Sequence, residues 1–208
     1  MLDAANLYLF VLASLLLLII PGPNMAFVTS HAMAHGWRGG TAAALGISFA
    51  DLLMTAMVSA GVGAVVMSWA PAFELLRIAG AGYLLWLAWQ ALKTPSVPKE
   101  RGAALRSLKN IFVRGTLNSL LNPKALLFFM VFLPQFVNVQ SGHITVQLLF
   151  LGTLLATIAL AFHIALGVCA AKIGRALGRQ RGSRLGNYAF AAVMAGLAAR
   201  LLLVQRPV

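Results

Sequence analysis

The sequence predicts an all-α integral membrane protein: about six transmembrane helices in a three-plus-three inverted repeat, with helices 1 and 4 broken. Three observations predict it: an apolar composition, basic residues gathered in short connections, and a proline break in each half of the chain. Of 208 residues, 61% are hydrophobic and 10% charged, whereas soluble domains run near about half apolar and a quarter charged. The formal charge is +12. Its cations sit between apolar stretches in the positive-inside pattern and form no continuous face for nucleic acid. Cys169 is the single cysteine, so an internal disulfide or thiol relay is excluded, and no Cys/His spacing suggests a metal.

Stretches long and apolar enough to span run near 4–33, 40–68, 72–92, 111–137, 144–171 and 188–204. All are expected as helices, because lipid offers nothing to an open sheet edge. The first 20 residues hold Asp3 but no Lys or Arg, and after Leu15–Ile20 comes Pro-Gly-Pro, where a cleavage site would have small residues; a retained first span is expected. Residues 1–92 form the first three-helix repeat, 93–110 a basic linker and 111–208 the second repeat. Lys93, Lys99, Arg101, Arg106 and Lys109 mark the linker, with Arg114 just beyond it. Lys172, Arg175, Arg179, Arg181 and Arg184 mark a second basic connection, and Arg38 stands alone in the first. The turns near Ser68–Pro71 and Pro134–His143 have no Lys or Arg. Basic connections stay in the cytoplasm, which places both termini outside; Arg200 and Arg206 oppose this only on a short tail.

Three spans on each side of the linker put the halves in opposite orientations, as an inverted repeat requires. A faint echo accompanies them: Arg77-Ile-Ala-Gly80 opens the third span as Arg184-Leu-Gly186 opens the sixth, and Gly46 has a counterpart in Gly152. The breaks are the firmer signal. Pro21-Gly22-Pro23-Asn24 and Asn122-Pro123-Lys124 interrupt the first and fourth spans, and backbone groups freed at membrane depth survive only where protein or a watery cavity satisfies them. Read as one helix from Ala4 to Ala34, the first span would be about 46 Å long against a core of about 30 Å, so it must bend, tilt or unwind. Paired breaks of this kind mark a substrate site.

Charges at membrane depth are rare and face an interior. Asp51 and Lys124 qualify, both roughly 15–20 Å from the cytoplasmic edge by helical rise. Asp51 either pairs with Lys124 or caps broken-helix amides, or else it accepts a proton in alternation with substrate. Lys124 either donates to carbonyls freed by Pro123, or holds a substrate carboxylate or sets the Asp51 pKa. Asn24, Asn118 and Asn122 add donors and acceptors, Asn118 and Asn122 being spaced for one helix face. One cation among uncharged amides suits a small zwitterion. His163 reads as a packed or carbonyl-bonded residue before a relay, and His31 and His35 as solvent-facing. Trp69, Tyr83, Trp86 and Trp89 read as interfacial belt and packing, and Glu74 with Arg77 as a local pair. Gly174, Gly178, Gly182 and Gly186 read as a flexible or closely packed connector, with a homodimer contact as the other reading.

In order and spacing, Pro21-Gly-Pro-Asn-Met25, Gly36-Trp-Arg-Gly-Gly40, Ala-Leu-Gly46-Ile-Ser-Phe-Ala-Asp51, Asn118-Ser-Leu-Leu-Asn122-Pro-Lys-Ala125 and Phe132-Leu-Pro-Gln-Phe136 resemble the LysE/RhtB family of amino-acid exporters over essentially the whole chain. The family includes lysine/arginine and homoserine/threonine efflux proteins. The resemblance implies proton-driven efflux of amino acids or close derivatives across a prokaryotic cytoplasmic (inner) membrane by a multi-pass protein, without a cofactor. It carries functional interest to Pro21, Gly22, Pro23, Asn24, Asp51, Asn122, Pro123 and Lys124. One departure is Ala88, where the family tends to have Gly in the third span.

The expected mechanism is alternating access around a midplane site, with protons and a small zwitterion as partners. Half-helix N-termini near Pro23 and Pro123 would take a carboxylate, and unwound carbonyls with Asp51 would take an amine or proton. An exporter of a cation or other small solute would want several inward carboxylates, thiols or imidazoles, and only Asp51, His163 and Cys169 are available. A membrane enzyme would want a nucleophile–base pair, and none is identifiable. No phosphate-binding loop is present, which sets direct ATP hydrolysis aside.

Overall fold

A computed structural model describes residues 4–61, 70–93, 101–176 and 184–202, and among them every regular element is helical. The order is α1 (Ala4–Ile19), α2 (Pro23–Ser59), α3 (Ala70–Lys93), α4 (Arg101–Leu120), α5 (Pro123–Leu127), α6 (Ile144–Ala176) and α7 (Arg184–Leu202). Helices α2 and α6 are each long and apolar enough to cross a membrane; Leu108–Leu120 with Lys124–Phe136 is a further span if that pair, bent by 55°, counts as one. Helix α4 begins at Arg101, inside the stretch read as linker.

Both proline breaks are present. Helix α1 stops at Ile19, and α2 starts at Pro23 with Gly22 as its N-cap. Helix α4 stops at Leu120, and α5 starts at Pro123 behind Asn122. Proline suits the first helical position because its missing N–H is one that no intrahelical carbonyl would have used. Beyond α5 the backbone widens into a π-turn over Phe128–Phe132 and tightens into a 3-10 turn over Leu133–Phe136, where Pro134 cannot continue the regular ladder.

The turn between the first two predicted spans contracts to one residue. Gly36 has φ 71° and ψ −170°, a region essentially reserved for glycine, and the chain folds back there: a Cβ on Gly40 would lie 2.9 Å from the Ala32 Cβ. Residues 23–35 therefore belong with α1, and 37–59 form the return helix.

The return helix is the centre of the fold. It runs antiparallel to α6, with Gly40 beside Gly167, Ser48 beside Ala156 and Thr55 beside Gly152. The Gly40–Gly167 crossing is close enough that a Cβ on Gly40 would sit 3.2 Å from the Gly167 Cα, the contact small residues permit in membranes. It runs parallel to α4, where Gly46 rests on the Phe112 backbone and Thr116 Oγ1 donates to the Gly46 carbonyl at 3.0 Å. Thus Gly46 and Gly152, echoes in the sequence, each serve a close helix contact. Helices α3 and α7 pair through Ala81, Leu84, Ala88, Ala191, Met194 and Ala198, and Tyr83 ties α3 to α4 by donating to the Arg114 carbonyl at 3.0 Å. Ala88 is buried in this contact.

The two ends differ in charge. Met33 meets Gly174 at the Gly36 end, which also carries the exposed Arg38, Lys109 and Lys172. At the other end Phe10 packs edge-on to Phe136, 5.2 Å between centroids. There buried Gln147 orders the connection before α6: its Nε2 donates to the Asn138 and Gly142 carbonyls at 3.0 and 2.7 Å, and its Oε1 accepts from the Asn138 N–H at 2.9 Å. His143, at φ 53°, is the one described non-glycine residue with positive φ.

Candidate functional site

The two breaks face each other across a cavity of about 50 Å³. Of the predicted residues, Gly22, Asn24, Asp51, Asn122 and Lys124 line it; Pro21, Pro23 and Asn118 do not, and the side chain of Pro123 lies outside the described residues. Pro23 and Pro123 stand at the first positions of α2 and α5, and Pro21 is exposed. Apolar lining comes from α1 through Leu17, Leu18 and Ile20, from Phe128 and Phe129 beyond α5, and from Leu155 and Ala159 of α6. A water needs roughly 10–15 Å³ by this measure, so the space holds a few waters and must widen to admit an organic solute.

Lys124 reaches across to the first half, where its Nζ donates to the Leu17 and Ile20 carbonyls at 2.5 Å each. Leu17 lies in the last turn of α1 and Ile20 just beyond it, where carbonyls are orphaned as the helix stops. The expectation had Lys124 serving carbonyls freed by Pro123; the acceptors belong instead to the opposite break. A Cβ on Gly22 would come within 3.5 Å of the Lys124 Cδ, so the absence of a side chain there lets the lysine stem pass close to the first break.

The two half-helix N-termini are unlike. At α5, Asn122 Oδ1 accepts from the Lys124 backbone N–H at 3.1 Å, an N-cap that occupies one of the free donors. At α2, Gly22 provides no side-chain cap, leaving the first amides without an intrahelical partner. Because α4 ends at Leu120, Asn118 and Asn122 share no helix face. Asn118 turns to Asn24 while Asn122 caps α5.

Asp51 is buried on the return helix, and its Oδ1 accepts from Ser119 Oγ at 3.1 Å. Ser119 in turn accepts from Asn24 Nδ2 at 3.0 Å, and Asn24 Oδ1 accepts from Asn118 Nδ2 at 2.8 Å. One directed chain, Asn118 to Asn24 to Ser119 to Asp51, thus links α4, α2 and both broken segments. Ser119, fully buried, was missed by sequence reasoning: a lone serine in an apolar helix carries no distinguishing signal. His163 is buried and lines the cavity; no well-formed hydrogen bond reaches its Nδ1. His35 is exposed as expected, but His31 is half-buried, its ring 4.2 Å from Phe27 and its Nδ1 2.9 Å from the Phe27 carbonyl. Trp86 and Trp89 are exposed, with Arg114 and Lys93 over their rings. Trp69, Gly178 and Gly182, and the side chains of Glu74, Arg77 and Gly186, lie outside the described residues.

The buried Asp51 carboxyl, the Lys124 amine and the side-chain amides of Asn24 and Asn122 meet at one cavity beside two helix breaks, in a fold of long apolar helices. The chain belongs to the LysE type translocator family, whose model matches residues 15–205, and it is a transporter and not an enzyme. It is 30% identical over 203 residues to the leucine efflux protein of Salmonella typhimurium, covering 96% of each chain. It is 31% identical over 201 residues to that of an Enterobacter species, covering 94% of each, and 30% identical over 203 residues to that of Klebsiella pneumoniae, covering 96% of each. No solved structure matches.

Proposed function

We propose that this protein exports small neutral amino acids across the cytoplasmic membrane by proton antiport with alternating access. The observation that carries the reading is the meeting of Lys124 with the uncapped N-terminus of α2 at one cavity that also holds Asp51. A cargo carboxylate fits between the Lys124 ammonium and the first amides of α2, where helix dipole and cation act together. To dock, it competes with the Leu17 and Ile20 carbonyls for Lys124. The apolar lining from α1, Phe128, Phe129 and Leu155 suits an aliphatic side chain, in keeping with relatives named leucine efflux proteins. Asp51 takes the proton. This reading takes the chain as six spans in an inverted repeat, and the basic residues at the Gly36 end support that end as cytoplasmic, with both termini outside.

The test is efflux from proteoliposomes loaded with labelled leucine, alanine, threonine or lysine, with and without an imposed pH gradient. Leucine leaving faster under the gradient is the expected result. Equal rates without it would overturn proton coupling, and retention of every amino acid would overturn the cargo.

A further inference from the structure

We propose that Ser119, Asn24 and Asn118 form a reversible hydrogen-bond chain whose direction is set by the proton on Asp51, making Ser119 the positioning residue that reports protonation to both broken helices. This rests on the proton-antiport reading.

As drawn, every donor points toward the carboxylate: Asn118 Nδ2 to Asn24, Asn24 Nδ2 to Ser119, and Ser119 Oγ to Asp51. At the far end the buried Asn118 Oδ1 has no hydrogen-bond partner. A hydroxyl can donate or accept, and an amide exchanges its donor and acceptor by a half-turn of its terminal torsion. When a proton from water bonds to Asp51 Oδ1, the acid O–H donates to Ser119 Oγ, and the serine hydrogen must find another acceptor. Asn24 supplies one by turning its Oδ1 to Ser119, which brings its Nδ2 to Asn118; Asn118 then turns its orphan Oδ1 inward to accept. The number of hydrogen bonds within the chain is the same in both directions, with one unpaired Asn118 atom at its end in each. The directions are therefore close in energy, and the Asp51 proton decides between them. With Asp51 ionised, the reversed chain would set a serine lone pair against a carboxylate oxygen.

The consequence reaches the site because Asn24 stands in the first turn of α2 and lines the cavity, while Asn118 and Ser119 stand in the last turn of α4, beside the second break. The other titratable groups lining this cavity are Lys124 from α5 and His163 from α6. Neither is a member of the chain, so the reversal is specific to Asp51.

The experiment is infrared difference spectroscopy of the full chain in lipid vesicles on lowering pH, with and without carbon-13 asparagine, and it requires no cargo. The expected result is a carboxylic-acid band absent from Asp51→Asn, accompanied by an asparagine amide band that shifts with the label. In Ser119→Ala the carboxylic-acid band remains and the amide band is lost; Ser119→Thr restores it. An unchanged amide band in Ser119→Ala, or a wild-type acid band with no amide change, overturns the proposal, as does absence of the acid band at every pH. Asn24→Ala, which keeps the serine, must also lose the amide band, guarding against misfolding of one variant. Failure to move leucine would instead bear on the cargo.

Discussion

Lys124 donates to the carbonyl of Leu17, 107 positions earlier in the chain, and in doing so closes the end of one broken helix with the first turn of the other. The cation does two jobs at once. It satisfies backbone that α1 leaves open and lines the cavity.

Replacing Lys124 by Met keeps the stem and removes the donor. The Leu17 and Ile20 carbonyls then lose their partner; the part-buried Leu17 carbonyl carries most of the loss, about 1 kcal/mol, because Ile20 is exposed. Thermal unfolding in detergent should show the loss, and efflux should fall to background even where the protein still inserts.

Asp51→Asn should insert and fold normally, since an amide can still accept from Ser119 Oγ. Efflux driven by an imposed pH gradient should vanish. Normal gradient-driven flux in that variant would remove Asp51 from the mechanism.

Two glycines should fail for different reasons. Nothing lies within 4 Å of a Cβ at Gly36, yet Gly36→Ala should lose about 1–3 kcal/mol because its backbone conformation is closed to L-residues. Gly46→Ala is free of that strain but drives a methyl into the Phe112 backbone, an overpacking penalty of about 1–3 kcal/mol. Chemical denaturation in mixed micelles would show both losses. A double variant of Gly46 and Phe112 should leave the Gly46 loss in place, because the clash is with main chain.

Gln147→Leu should loosen the connection before α6, leaving the Asn138 N–H and the Asn138 and Gly142 carbonyls without their side-chain partner, about 1–3 kcal/mol in sum. Amide hydrogen exchange should rise at 138–143 and stay unchanged at the Gly36 end.

If the Gly36 end is cytoplasmic, a cysteine placed at Arg38 in a Cys169→Ala background should resist a membrane-impermeant maleimide in intact cells. One placed at Gln140 should react.

The membrane class, the helical content, both breaks and the polar residues Asp51 and Lys124 were legible because each rests on local chemistry: lipid demands apolar residues and satisfied backbone, and proline is accepted at the start of a helix but not in its interior ladder. Several readings changed with the fold: Lys124 serves the carbonyls of the opposite break, and His31 is half-buried. Gly36 replaced a six-residue turn, since positive φ at one glycine suffices to reverse a helix, and Asn118 and Asn122 parted company once α4 stopped between them. Ser119 could not be singled out, because its importance lies in what faces it.

By itself, then, the chain determined where helices form and stop, which residues are too polar for lipid, and which connections are basic. Only the tertiary structure decided that Lys124 closes α1 and that Ser119 joins Asp51 to both breaks. Those partners lie 68 to 107 residues apart in sequence, and it is helix packing at Gly46 and at the Gly40–Gly167 crossing, not local pattern, that brings them within hydrogen-bond reach.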